Sequence, residues 1–128
     1  MMSNTYNEDF ISYNSPTALS ISNKLTKKYA IKSGSTDNDY WLVGYNPDLM
    51  MMIWTGEDNN KEVVGNYSKI SKNIWADSME NILKDKEENW YKKPQNVDAL
   101  LLDPVSGKIA SEGNGSLFYF LRGTEPLE

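Results

Sequence analysis

The sequence contains no cysteine and no histidine among its 128 residues. Without cysteine there are no disulfides and there is no thiol catalysis. Without either residue type, histidine proton relays and ordinary zinc sites are excluded as well. We therefore expect no metal site and no cofactor.

The chain also lacks an excess of positive charge and any long apolar run. Lys and Arg total 13 against 18 Asp and Glu, which gives a formal net charge of −5. A general nucleic-acid binder needs a basic surface, so we expect no nucleic-acid partner. The longest apolar run, Leu49 to Trp54, is far shorter than the ~20 residues of a membrane span. No signal-peptide pattern opens the chain, and we expect no membrane contact by this segment.

What is present suits a folded chain. Hydrophobic residues make up 39% and aromatic residues 12% of the sequence, which is typical of a globular protein. A chain of 128 residues is one domain or part of one, and it can bury only a modest core.

Three short strands are predicted before residue 55: Lys28 to Ser35, Tyr40 to Tyr45, and Leu49 to Trp54. Turn residues separate them at Asp37-Asn38-Asp39 and Asn46-Pro47-Asp48, and such short connections favour an antiparallel meander. The third strand is apolar at every position, so we expect both of its faces to be covered.

A helix is predicted over about residues 68–86, because apolar residues recur there at steps of three and four. These residues are Ile70, Ile74, Trp75, Met79, Ile82 and Leu83. A shorter helix is predicted to begin at Ser15-Pro16, a typical helix start, and to end near Leu25.

The last part of the chain predicts a small β unit, with strands at Val97 to Asp103, Lys108 to Ala110 and Leu117 to Leu121. The fold class is therefore α+β: an antiparallel three-stranded meander packed by an amphipathic helix and followed by a small β tail. We place the boundary between the two parts after residue 92, giving segments 1–92 and 93–128.

Chemistry converges at Lys32-Ser33-Gly34, on the first predicted strand. The two-residue period of a strand puts Lys32 and Gly34 on one face, so the surface beside the lysine is left clear. An extended peptide could pair with such an edge, and the lysine would offer it a fixed positive charge. Ser35 and Thr36 could donate hydrogen bonds to a carboxylate, and a backbone N–H past the glycine could meet an oxyanion. Taken alone, the tripeptide is short and common, and a solvated strand end is the simpler interpretation.

The surrounding sequence makes the motif far more specific. Lys-Ser-Gly-Ser-Thr is followed by Tyr-Trp-Leu-Val-Gly-Tyr-Asn-Pro-Asp, by Met-Ile-Trp-Thr-Gly-Glu-Asp, and near the end by Asp103-Pro-Val-Ser-Gly107 and Gly123-Thr-Glu-Pro126. This string resembles the C-terminal part of the transpeptidase domain of class A penicillin-binding proteins, the bifunctional peptidoglycan synthases. The resemblance covers nearly the whole chain and implies a fragment of the β-lactamase/transpeptidase-like fold.

The resemblance assigns roles residue by residue. Lys32, Ser33 and Gly34 match the third catalytic motif, Lys-Thr-Gly, with Ser in the place of Thr. Ser35 would supply the oxyanion-hole N–H of this strand, and Thr36 would line the site for the carboxylate of the substrate. The implied partners of the longer protein are peptidoglycan stem peptides, β-lactams and the rest of the transpeptidase domain. The implied location is the extracytoplasmic face of the bacterial membrane, with the glycosyltransferase domain and the membrane anchor encoded elsewhere.

Neither of the other two motifs of that family is convincingly present. Loose Ser-x-Asn matches occur at Ser12-Tyr13-Asn14, which lies too near Lys32 for the family arrangement, and at Ser71-Lys72-Asn73, within or at the start of the predicted helix. No Ser-x-x-Lys occurs in the 128 residues, so the sequence offers neither the nucleophilic serine nor its lysine base. A lysine and an oxyanion donor without a nucleophile cannot form an acyl-enzyme. We therefore expect this segment alone to be catalytically inert.

A second hypothesis belongs to a different class: a non-catalytic module that binds peptides or cell-wall polymers. Tyr40, Trp41, Tyr45 and Trp54 would form its aromatic platform. Aromatic residues in a meander more often pack in the core or across strands, which favours the first hypothesis.

Overall fold

The computed structural model describes residues 2–8, 11, 15–57, 59, 61–62, 65–110 and 115–126. The chain forms two compact units, one of Met1–Glu8 with Pro16–Trp90 and one of Asp9–Ser15 with Tyr91–Glu128. The boundary expected after residue 92 stays a prediction.

The predicted meander is confirmed. Strands β1 (Ala30–Ser35), β2 (Asp39–Tyr45) and β3 (Met50–Gly56) form an antiparallel sheet in the order β1-β2-β3. The side-chain oxygen of Asn46 accepts the N–H groups of Asp48 and Leu49 at 3.0 Å each. This bonding explains why Asn-Pro-Asp makes the tight turn between β2 and β3.

Helix α1 spans Tyr67–Leu83 and is capped at its N-terminus by Asn66, whose side chain accepts the N–H of Lys69 at 3.0 Å. The helix is confirmed, but only part of its expected apolar stripe faces the sheet. The buried positions are Ser71, Trp75, Ala76, Met79 and Leu83, whereas Ile70, Ile74 and Ile82 are exposed. Ser71 is accepted in the core because its hydroxyl lies 2.8 Å from Thr55 Oγ1 and donates to the Tyr67 carbonyl at 2.8 Å.

Trp75 is the largest buried side chain of the first unit. Its Nε1–H donates to the Met51 carbonyl at 3.1 Å, and its ring meets that of Tyr29 edge-on with centroids 5.3 Å apart. The core around it contains Ala18, Ile21, Tyr29, Ile31, Tyr40, Leu42, Ala76, Met79 and Leu83. This core binds one face of the sheet to α1.

The expectation that both faces of the third strand would be covered is wrong within the described residues. Side chains alternate along β3, and Met50, Met52 and Trp54 remain 66%, 61% and 43% exposed. Helix α1 packs on only one face of the sheet, so an entirely apolar strand leaves alternate residues open.

The predicted helix after Ser15-Pro16 is replaced by a short 3-10 helix, Leu19–Lys24. No side chain caps its beginning, and serine and asparagine compete for backbone hydrogen bonds, which favours short 3-10 turns over a regular α-helix. This segment nevertheless contributes to the core, because Ala18 and Ile21 are fully buried.

The second unit contains the predicted β tail. Strands β4 (Val97–Leu102) and β5 (Ser116–Leu121) pair antiparallel, and the third predicted segment contributes an isolated bridge between Ile109 and Leu102. The Arg122 guanidinium at 3.1 Å lowers the pKa of the Asp98 carboxyl. In the described part of the chain, no helix is long and apolar enough to cross a membrane.

Candidate functional site

The residues singled out by the sequence lie on β1 and directly after it. Lys32, Ser33, Gly34 and Ser35 pair in order with Val43, Leu42, Trp41 and Tyr40 of β2. Thr36 follows the strand and begins the connection to β2. The structure therefore collects all five residues on one edge of the three-stranded sheet.

Lys32 and Gly34 share the sheet face opposite α1, as the two-residue period predicts. Both are exposed, and a Cβ built on Gly34 would meet no atom within 4 Å. The Lys32 ammonium donates to the Ser33 carbonyl at 2.6 Å. A cation thus stands beside an open patch of backbone, where it can attract an anionic group.

The backbone hydrogen-bonding groups of Ser33 and Ser35 point away from β2. The Ile31 carbonyl accepts a bond from Thr5 Oγ1 at 2.9 Å, so the peptide groups of Ile31 face the outer side of the strand. Peptide groups in an antiparallel ladder alternate between the two sides of a strand. The N–H and C=O groups of Ser33 and Ser35 therefore face outward too, on the edge that the described strands leave unpaired.

Thr36 is held within the hairpin rather than presented as a free hydroxyl. Its Oγ1 donates to Asp39 Oδ1 at 2.9 Å and accepts the N–H groups of Asn38 and Asp39 at 3.2 Å each. Its own N–H donates to the Asp39 carbonyl at 3.0 Å. The assignment of Thr36 to a substrate carboxylate stays a prediction, and the only proton of its hydroxyl is already committed to Asp39.

The start of β1 is fixed by three bonds from elsewhere in the first unit. Thr5 Oγ1 donates to the Ile31 carbonyl, and the Tyr29 N–H donates to Tyr6 Oη at 3.1 Å. The Tyr29 hydroxyl donates to Glu80 Oε1 of α1 at 2.8 Å. Burial and then the bond to the Glu80 carboxylate raise the pKa of Tyr29 well above its usual range.

The four aromatic residues of the second hypothesis do not form one platform. Tyr40 is buried on the side that faces α1, whereas Trp41, Tyr45 and Trp54 project from the opposite side. Trp41 and Trp54 are directly paired across the strands, with ring centroids 6.2 Å apart. The exposed aromatic surface is therefore a tryptophan pair on the same face as Lys32.

Three contributors to this geometry were missed at the level of sequence: Thr5, Asp39 and Glu80. Only Asp39 carried a local signal, since a threonine followed three residues later by an aspartate is a pattern of side-chain-closed turns. Thr5 lies 26 residues before Ile31, and Glu80 lies 51 residues after Tyr29. Such distant partners leave no pattern in the sequence. No cluster of His, Cys, Asp or Glu suited to a metal ion occurs among the described residues.

Comparison with known proteins decides the family. Over 98% of its length the chain is 40% identical to penicillin-binding protein 2D of Bacillus subtilis. The chain is homologous to penicillin-binding proteins over most of its length. Penicillin-binding protein 1A of Pseudomonas aeruginosa is 31% identical over 69% of the chain. No protein-family model matches the chain.

The fold agrees with that relationship. The crystal structure of penicillin-binding protein 1A from Haemophilus influenzae superimposes with a TM-score of 0.81 at 25% identity and covers 99% of this chain. The chain spans only 19% of the B. subtilis protein, 11% of the P. aeruginosa protein and 20% of the H. influenzae crystal chain. It thus corresponds to a limited part of these penicillin-binding proteins.

Proposed function

We propose that this chain is the portion of a peptidoglycan D,D-transpeptidase that forms the Lys-Ser-Gly wall of the active-site cleft. The observation that carries the proposal is the open edge of β1, where Ser33 and Ser35 turn their peptide groups outward beside the Lys32 ammonium. Its support is the match to penicillin-binding proteins across that strand and the rest of the chain.

In this function an extended stem peptide lies along the open edge and pairs with the peptide groups of Ser33 and Ser35. The N–H of Ser35 donates to the carbonyl oxygen of the substrate as it becomes an oxyanion, which lowers the barrier to attack. Lys32 provides positive charge beside the reacting group, and Gly34 leaves space for the substrate. The Ser35 hydroxyl is the candidate donor to a substrate carboxylate, and Thr36 would have to give up its bond to Asp39 in order to donate as well.

The nucleophile has to come from outside these 128 residues. A serine elsewhere in the longer protein attacks the D-Ala-D-Ala carbonyl, and the terminal D-Ala leaves. An amine of a neighbouring stem peptide then takes the acyl group from the serine. β-Lactams would acylate the same serine. The partners of this segment are then the stem peptide, β-lactams and the remainder of the transpeptidase domain, on the extracytoplasmic face of the bacterial membrane.

Labelling with a fluorescent penicillin tests the proposal. The full-length protein that contains this chain should be labelled stoichiometrically and covalently, whereas the isolated 128-residue chain should not be labelled. An unlabelled full-length protein would remove the transpeptidase function. Stoichiometric labelling of the isolated chain would show that the nucleophile lies within it.

The exposed Trp41–Trp54 pair supports a second candidate function, a non-catalytic module that binds peptides or cell-wall polymers by stacking. NMR titration of the isolated chain with a stem peptide or a muropeptide separates the two functions. Shifts that cluster on residues 32–36 support the cleft wall. Shifts confined to Trp41 and Trp54, with residues 32–36 unchanged, support the module.

A further inference from the structure

We propose that Asp39 is a positioning residue that acts through the hydroxyl of Thr36 to fix the backbone N–H of Ser35. The inference rests on the proposed function, in which this N–H meets the developing oxyanion. Asp39 does not touch the substrate in this arrangement. Its role is to hold the end of β1 so that the Ser35 amide keeps one direction.

The first observation is that the Thr36 side chain makes three hydrogen bonds, all within the β1–β2 connection. Its proton goes to Asp39 Oδ1, and its oxygen accepts the N–H groups of Asn38 and Asp39. A hydroxyl has one donor and two acceptor positions, so the capacity of Thr36 is fully used. The bond to a carboxylate is the charge-assisted and stronger kind.

The second observation is that the chain before the Ser35 amide is held by the β1–β2 ladder, through the pairing of Gly34 with Trp41. That amide belongs to the peptide plane between Gly34 and Ser35. Gly34 has the widest backbone freedom of any residue, and no atom lies within 4 Å of the place where its Cβ would be. The Gly34–Trp41 pair therefore holds the plane from one side, and Thr36 with Asp39 holds it from the other side, where the strand ends.

The third observation is that Asp39 is itself well anchored. It is the first residue of β2, half-buried, and pairs with Gly56 of β3. A Cβ on Gly56 would lie 2.9 Å from the Cβ of Asp39, so the glycine leaves the room that Asp39 occupies. The Glu57 N–H extends this ladder by donating to the Asn38 carbonyl at 3.3 Å. Thr36 and Asp39 thus hold the Ser35 amide in a fixed position relative to the β2–β3 pair.

The isolated chain tests the geometry by NMR relaxation of the Ser35 amide. The wild-type order parameter should be near the ~0.85 of rigid backbone and should fall measurably below that value in Asp39→Ala. Asp39→Asn keeps an acceptor oxygen, so its Ser35 amide should have the order parameter of wild type. Thr36→Val removes the same bonds without altering Asp39 and should lower the order parameter of the Ser35 amide in the same way. Asp37→Ala is the matched control, because Asp37 is an exposed carboxylate in the same turn. An unchanged Ser35 amide in both Asp39→Ala and Thr36→Val would overturn the proposal.

The full-length protein tests the consequence for chemistry. Acylation by a fluorescent penicillin is resolved into the binding constant and the first-order acylation rate constant. Asp39→Ala and Thr36→Val should lower the rate constant about tenfold to a hundredfold, as expected for a misplaced catalytic donor, with little change in binding. Asp39→Asn and Asp37→Ala should react like wild type. If wild type and Asp39→Ala are acylated equally fast, the positioning role is wrong, but the transpeptidase function stands. If wild type is not acylated at all, the proposed function fails, and the NMR result alone decides whether Asp39 positions the Ser35 amide.

Discussion

The indole ring of Trp75 occupies the space in which a side chain at Gly44 would lie. A Cβ built on Gly44 would fall 2.2 Å from Cζ2 of Trp75, far inside van der Waals contact. Gly44 is the penultimate residue of β2 and pairs with both Ile31 and Met51. This glycine therefore allows α1 to approach the sheet closely. Strand β2 in turn pairs with β1, the strand that contains Lys32.

Replacing Gly44 with Ala should destabilise the chain by about 1–3 kcal/mol, because the added methyl group forces the buried tryptophan or the strand to move. Gly34→Ala is the matched control on the neighbouring strand, since its Cβ would meet nothing within 4 Å. Urea denaturation of both variants provides the measurement. Equal stability of the Gly44→Ala variant and wild type would contradict the packing described for Trp75.

Alkaline pH should weaken the fold through Tyr29. Its pKa is raised in the folded chain from an ordinary value of 10.0, by burial and by the bond to Glu80. A group whose folded pKa is raised stabilises the fold below its unfolded pKa, and this contribution is lost as pH rises beyond that value. The free energy of unfolding should therefore decline above pH ~10, and Tyr29→Phe should reduce the decline. Tyr119→Phe, at an exposed tyrosine, controls for the loss of a hydroxyl, and an identical decline in Tyr29→Phe and wild type would count against the assignment.

Lys32→Ala in the full-length protein should slow acylation by penicillin at least ~100-fold, because a positive charge is removed from the wall of the cleft. Lys32 is exposed, so the free energy of unfolding of the isolated chain, measured by thermal denaturation, should change by no more than ~0.5 kcal/mol. Lys32→Arg keeps the charge with a different shape and separates charge from geometry. Unchanged labelling of Lys32→Ala would remove this residue from the mechanism.

Ser35→Pro should abolish the oxyanion donor while preserving the sheet. Proline removes the N–H of residue 35, which faces the open edge rather than β2, so no bond of the β1–β2 ladder is lost. Loss of one such donor costs about 10²–10³-fold in rate. Ser35→Ala keeps the N–H and loses only the hydroxyl, so its acylation rate should be much closer to wild type. Equal rates for Ser35→Pro and Ser35→Ala would show that this amide does not act.

The isolated chain should self-associate through the open face of its sheet. Met50, Met52, Trp41 and Trp54 form an exposed apolar surface beside sheet edges that the described strands leave unpaired. Such surfaces promote association. Met52→Lys should reduce the association measured by sedimentation velocity over a range of concentrations. Val105→Lys places the same charge at another exposed apolar residue and should leave it unchanged. A monomeric wild-type chain would refute the expectation.

Local patterns predicted the elements well where they depend on neighbours in sequence. Turn residues at 37–39 and 46–48 predicted the meander. In the structure the Thr36 hydroxyl accepts the N–H groups of Asn38 and Asp39, and the Asn46 side chain accepts those of Asp48 and Leu49. The period of two correctly placed Lys32 and Gly34 on one face of β1. Periodicity failed on α1, where Ile70 and Ile74 are as apolar as the residues that are buried. Only the position of the sheet decides which side of the helix is covered.

The sequence by itself determined the family, the order of the elements and the strand that carries Lys32-Ser33-Gly34, because these follow from motifs and short-range periodicity. The tertiary structure decided which edge of β1 is open and what holds its two ends. Thr5 and Glu80 reach β1 and its flanking Tyr29 across long sequence separations, and such bonds form only once the chain has folded. It also decided that the Thr36 hydroxyl belongs to Asp39, because a hydroxyl has a single proton and the geometry of the turn directs it to the carboxylate.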